Sequence, residues 1–199
     1  MNKSVKNVLC LTAITLVAGL ALGYVYDLTK EPIAIMEENT KLAAYRSVFP
    51  EAESFGDMEP ETFSSTAAAV AGNGCDVDSA VNALDASGNV MGYVINVTTH
   101  EGYGGDITVS MGIDNAGTVK GVEMLKIGET AGLGMKAKDS KFRDQFANKT
   151  VSQFAYTKTG ATADFEVDAI SGATITTKAV VNAVNTGLAF YESLGGAGL

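Results

Sequence analysis

Residues 168–174 read DAISGAT and run directly into ITTKAVVNAVNTGLAFYESL, a stretch apolar at every third or fourth position and therefore helical. Asp168, Ser171, Thr174, Thr176 and Thr177 can all cap a helix, while Gly172 and Ala173 carry almost no side chain. One such residue satisfies the free N–H groups of a first turn. The surplus reads either as redundant capping or as room and polar groups for a ligand seated on the helix end. Two other segments have a similar look, EGYGGDI (101–107) and GETAGLGMK (128–136). Glycine lets backbone approach a ligand closely or adopt positive φ. Each segment taken singly reads as a loop or a cap. Their occurrence in order within about 75 residues points to one site assembled from three loops.

Other chemistries have little to work with. His100 is the only histidine, and Cys10 and Cys75 belong to no metal-ligand spacing, so zinc sites and histidine-dependent triads are excluded and no metal is expected. No GxxxxGK[ST] occurs, and no GxGxxG follows a strand. The net charge of −9 over 199 residues argues against a nucleic-acid partner. The acid is concentrated before residue 101, with 12 acids against 3 bases in residues 27–100.

The elements that must position the three clusters follow an apolar segment. Val8 to Tyr26 is 19 residues without a charge, preceded by Lys3 and Lys6 and followed by Asp27. At 1.5 Å per residue this spans roughly 28 Å, about one hydrocarbon core. The positive-inside rule puts the N-terminus in the cytoplasm and the rest outside, in a single-pass cytoplasmic-membrane protein. A cleaved signal peptide with Ala21-Leu22-Gly23 as its site is the competing reading; the length of the run and the interfacial Tyr24 and Tyr26 favour the anchor. With no ionisable residue in the span beyond thiol and tyrosines, the chain itself cannot conduct ions.

Three regions are expected: a cytoplasmic stub and anchor (1–26), a membrane-proximal helix and acidic linker (27–80), and a domain over 81–199. Pro32 suits a helix start, and Pro50 ends that helix. EAESFGDMEPETF reads as an acidic loop, and residues 66–80 are ambiguous. Beyond them SGN and DNAGT separate alternating, β-branched runs, as hairpin turns do. KDSKFRDQFAN gives a short helix with Phe142 and Phe146 one turn apart, VSQFAYTK a strand, and TGATADFEV a loop. Strands followed by a helix imply an α+β domain with an antiparallel sheet and flanking helices.

On DAISGAT, GYGG and ETAGLG the chain resembles flavin-binding domains that carry FMN covalently, with the signature D-x-x-[S/T]-G-A-T. With one N-terminal membrane helix it is most similar to the G-subunit family of the Rnf complex, the ion-translocating ferredoxin:NAD oxidoreductase. The homologous C-subunit family of the sodium-translocating NADH:quinone oxidoreductase, usually longer, comes second. The resemblance covers the anchor and residues 89–190, and it departs at Ala131, where the family commonly has Pro. Losing Pro leaves that loop less constrained.

The resemblance implies FMN joined through a phosphoester to Thr174, and recognition of Asp168 by a separate flavin transferase. A helix start suits the negative phosphodiester through its free N–H groups and dipole. Ser171, Gly172, Ala173, Thr176 and Thr177 would surround the phosphate, and Gly104, Gly105, Glu129, Thr130, Gly132 and Leu133 the ring, with Tyr103 a further candidate. The implied function is a flavin electron carrier, working with the other membrane subunits of a redox-driven ion-translocating complex and not autonomously. A stand-alone anchored FMN-dependent reductase is the alternative, and a non-redox scaffold the third reading.

Overall fold

The computed structural model describes residues 3–70, 72 and 74–195, which fall into two compact units, residues 1–41 and 42–199. The first is helical throughout its described length, part of α1 (Lys3–Val48), and every described residue in it is exposed. The helix is long and apolar enough to cross a membrane. Thr12 and Thr15 donate their hydroxyls to the carbonyls of Val8 and Leu11, so the threonine hydroxyls of the apolar run are satisfied within the helix. Pro32 lies inside this helix and not at the start of a new one, contrary to the expectation from sequence. It falls just past the apolar run, where water can bond the carbonyl that proline leaves without a partner.

The second unit is built on a six-stranded antiparallel sheet in simple meander order: β1 (Ser54–Asp57), β2 (Cys75–Leu84), β3 (Val90–Thr99), β4 (Ile107–Asp114), β5 (Thr118–Ile127) and β6 (Lys149–Thr150). Both expected hairpin turns form. Asp85 accepts from the N–H groups of Ser87 and Asn89, Asp114 from those of Ala116 and Thr118, and Gly88 and Gly117 supply positive φ of 82° and 81°. Ile95 pairs with Met111 and Val97 with Val109, placing one apolar row in the main core. That row is covered by α4 (Thr174–Ser193), which buries Ala179, Val180, Ala183, Val184, Gly187 and Leu188. A Cβ on Gly187 would lie 2.8 Å from the Met111 methyl, so the helix rests directly on the sheet.

The opposite face of the sheet holds a smaller cluster of Tyr45, Val48, Phe49, Ala83 and Val94. Here a Cβ at Gly112 would come within 2.3 Å of the Val48 carbonyl oxygen, and one at Gly92 within 2.7 Å of the Phe49 ring. The glycines let the last turn of α1 lie against bare backbone. Asn96, 2% exposed, donates to the Tyr45 hydroxyl at 2.7 Å and to Ser79 at 2.9 Å.

Three segments differ from their expected form. The acidic loop is in part β1, which pairs with Val81–Leu84 and sets Phe55 against Tyr45 with ring centroids 5.4 Å apart; α2 (Pro60–Val70) then packs Phe63 on Phe190. Alternate positions of a short edge strand face solvent, so its acids do not oppose pairing. The segment TGATADFEV (159–167), expected to be a loop, ends in β8 (Glu166–Asp168), parallel to β7 (Ala155–Thr157). The Glu166 carboxylate closes the intervening turn by accepting from the N–H groups of Thr162 and Ala163. Of the expected Phe142/Phe146 helix only α3 (Ser140–Arg143) is helical, preceded by a 3-10 turn (Gly134–Lys138), and Phe146 lies beyond it, with both rings buried.

Candidate functional site

The first residue of α4 is Thr174, and its N-cap is Ala173, which has no side-chain cap hydrogen bond. None of the surplus capping residues caps the helix. The N–H groups of its first turn, which lack intrahelical acceptors, remain for a ligand. Thr177 instead locks the approach to the helix. Its hydroxyl accepts from Ile170 N–H at 3.0 Å and donates to the Ala173 carbonyl at 3.0 Å, and its side chain is fully buried. Gly172 takes φ 78°, and a Cβ there would lie 3.1 Å from a Leu133 methyl.

A cavity of ≈ 600 Å³ opens at this helix start, and all three glycine clusters reach it. Tyr103 comes from the first cluster, Glu129, Thr130, Leu133 and Gly134 from the second, and Gly172 to Thr176 from the third. Tyr103, Leu133 and Ile175 are exposed apolar groups at the cavity and offer surface to a flat ring. Its polar groups are deeper: Glu129 is 8% exposed and Thr176 1%. Glu129 Oε1 accepts the Tyr103 N–H at 2.8 Å, tying the first cluster to the second. A Cβ on Gly134 would sit 2.7 Å from Glu129 Oε2 and 2.7 Å from the Thr176 hydroxyl, so only glycine keeps this end open.

Of the residues singled out from sequence, Glu129, Thr130, Leu133, Gly172, Ala173, Thr174 and Thr176 line the cavity, as does Tyr103. Gly104, Gly105, Gly132, Ser171 and Thr177 do not. Gly104 serves loop-to-loop contact, since a Cβ there would lie 2.4 Å from the Gly128 carbonyl oxygen. Gly105 and Gly132 adopt φ of 120° and 76° and shape their loops. Ser171 and Asp168 line a neighbouring cavity of ≈ 550 Å³. Asp168 is exposed, with Oδ1 accepting the Ala161 N–H and its own N–H bonded to Gln145. Gly134 and Ile175 line the site and were missed. Gly134 stood within the second cluster as a signal, whereas nothing in the sequence set Ile175 apart from core positions.

His100 precedes the first cluster and joins two carboxylates, Nδ1 to Asp106 at 2.9 Å and Nε2 to Asp76 at 3.1 Å. Asp106 foremost, then Asp76, raises its pKa from 6.5 to about 9, so both ring nitrogens donate at neutral pH.

A loop-built cavity at an uncapped helix start defines a ligand-binding domain, and residues 102–189 match the family model described as FMN-binding domain. Over 94% of its length the chain is 31% identical to the G subunit of the Na(+)-translocating ferredoxin:NAD(+) oxidoreductase complex of Acetobacterium woodii, covering 90% of that protein. It is also 31% identical to the G subunit of the ion-translocating oxidoreductase complex of Methanosarcina acetivorans, covering 94% of each chain. The chain belongs to the family of G subunits of ion-translocating oxidoreductase complexes. The crystal structure of the C subunit of Na(+)-translocating NADH-quinone reductase from Parabacteroides distasonis overlaps 63% of this chain and 64% of its own, at 25% identity and a TM-score of 0.48.

Proposed function

We propose that the protein carries electrons through FMN held covalently on Thr174, as a non-autonomous subunit of a membrane-bound, redox-driven ion-translocating complex. The observation that carries this reading is Thr174 itself: half-buried, lining the cavity, and first in a helix whose N-terminal N–H groups have no side-chain cap. The residues present fit the cofactor. A cavity of ≈ 600 Å³ falls in the range for small cofactors. Tyr103, Leu133 and Ile175 supply apolar surface for the ring, Gly172 leaves room for the phosphate linkage, and the α4 N-terminus favours its negative charge. Glu129 and Thr176 present a carboxylate oxygen and a hydroxyl to the polar parts of the ligand. FMN supplies reversible one- and two-electron transfer. The buried Glu129 and Thr176 would hold the group from within, and the exposed Tyr103, Leu133 and Ile175 would leave it reachable by another protein.

Covalent attachment calls for a flavin transferase, and the exposed Asp168 carboxylate near the loop is the group proposed for its recognition. The apolar run Val8 to Tyr26 of α1 is proposed as a membrane anchor with its N-terminus in the cytoplasm and the flavin domain outside, Lys3 and Lys6 marking the inner side. The test is electron transfer itself. Full-length, flavin-loaded protein in detergent is reducible by dithionite but oxidises NADH negligibly; returned to membranes holding the other subunits, it restores flavin-dependent electron transfer, and Thr174→Ala does not. Fast, saturable NADH oxidation by the purified chain would support a stand-alone reductase instead.

A further inference from the structure

Two of the cavity's walls come from distant parts of the chain: the loop after β3, which carries Tyr103, and the first turn of α4, which carries Thr174. One side chain reaches between these elements. Glu101 accepts from Lys178 Nζ at 3.2 Å with Oε1, and from the Asn182 side-chain amide with Oε2. Lys178 and Asn182 lie one and two turns into α4 from Thr174, on the same stretch of helix. The Asn182 amide first, then the Lys178 ammonium, hold the Glu101 carboxyl below the usual carboxylate range.

The rest of the loop is fastened on the sheet side. His100 N–H donates to the Gly74 carbonyl at 2.8 Å, its ring joins Asp76 and Asp106, and Tyr103 N–H donates to Glu129. Gly74, at φ 71°, leaves space for the Glu101 stem; a Cβ there would lie 3.2 Å from Glu101 Cγ. The His100–Asp106 bond closes the loop on itself, those to Gly74 and Asp76 tie it to the start of β2, and that of Tyr103 ties it to the Glu129 segment, whereas the bonds of Glu101 tie it to α4.

We infer that Glu101 is a positioning residue for the cavity: its grip on Lys178 and Asn182 fixes the distance between the Tyr103 wall and the helix turn that bears Thr174. The inference deepens the flavin reading and can be decided without it. Lys178 is half exposed, so its ion pair alone contributes little to global stability, and the consequence of losing Glu101 is local.

The experiment compares Glu101→Ala and Glu101→Gln in the full-length chain, with Glu51→Ala as control because Glu51 pairs with Lys120 across another part of the surface. In the flavin-free Thr174→Ala background, Glu101→Ala speeds amide exchange at Tyr103 and its neighbours while the β4 and β5 amides stay protected. In flavin-loaded protein it lowers the fluorescence anisotropy of the bound flavin and shifts its midpoint potential. Glu101→Gln restores only part of both, since its single amide oxygen keeps one of the two donors while its NH2 faces the other, and Glu51→Ala changes neither. Should Glu101→Ala fail to fold, Lys178→Met removes one half of the grip and shows the same loop loosening in smaller measure. Unchanged Tyr103 exchange, anisotropy and potential, with only a lowered Tm, would overturn the inference. Absence of covalent flavin in the wild type would defeat the flavin reading and leave the exchange arm to decide.

Discussion

Thr174 and Thr177 are three residues apart in one short run rich in hydroxyls, yet their surroundings divide them cleanly. Thr174 opens onto the cavity, while Thr177 is buried and commits its hydroxyl to Ile170 and Ala173. Thr177→Val removes the acceptor of a buried N–H, so it should cost about 1–3 kcal/mol in denaturant unfolding while leaving flavin attachment intact. Loss of attached flavin with unchanged stability would reverse the two roles. His100, the sole histidine, gives a second residue-level test. Its pKa is raised to about 9, against 6.5 unperturbed, so its bonds to Asp106 and Asp76 stabilise the fold fully below about 6.5. That contribution fades as pH rises through 9. The imidazole resonance should titrate near pH 9; a midpoint near 6.5 would show that the two carboxylates do not hold it. Sequence identified the three glycine clusters because small residues and hydroxyls are visible locally. It could not separate ligand-facing from loop-shaping members, which depends on where distant backbone passes, as at Gly104 against Gly128.

Elements were legible where their signals are local. The turns at Asp85 and Asp114 are closed by residues within four positions, and the α4 pattern needs no partner to be recognised. β1 and β8 were not legible, because each is a short strand defined by its neighbour: β1 by Val81–Leu84, β8 by Ala155–Thr157. The same holds for Asn185, whose amide both accepts the Phe154 N–H at 2.7 Å and donates to the Phe154 carbonyl at 2.9 Å, fastening the segment before β7 to α4. The glycines under the end of α1 make a sharp prediction. Gly112→Ala puts a methyl where the Val48 carbonyl stands, so the helix end must shift, at a cost of about 1–3 kcal/mol by denaturant unfolding. A neutral effect would mean that the last turn of α1 does not rest on β4.

For the whole molecule, function follows from what one domain holds and what it lacks. The three loops converge on one cavity, the place proposed for the flavin, and no dinucleotide fingerprint stands in the sequence. The proposed electron transfer would run between this chain and other subunits, in keeping with its membership of a family of complex subunits. Everything rests on the flavin's being fixed at the helix start. The most direct test is the intact mass of the full-length chain co-produced with a flavin transferase, alongside its Thr174→Ala variant. The wild type should be heavier than its sequence by one FMN less one water, with the addition mapping to the peptide containing Thr174, and the variant should have the unmodified mass. An unmodified wild type, or an equally modified Thr174→Ala, would contradict the account.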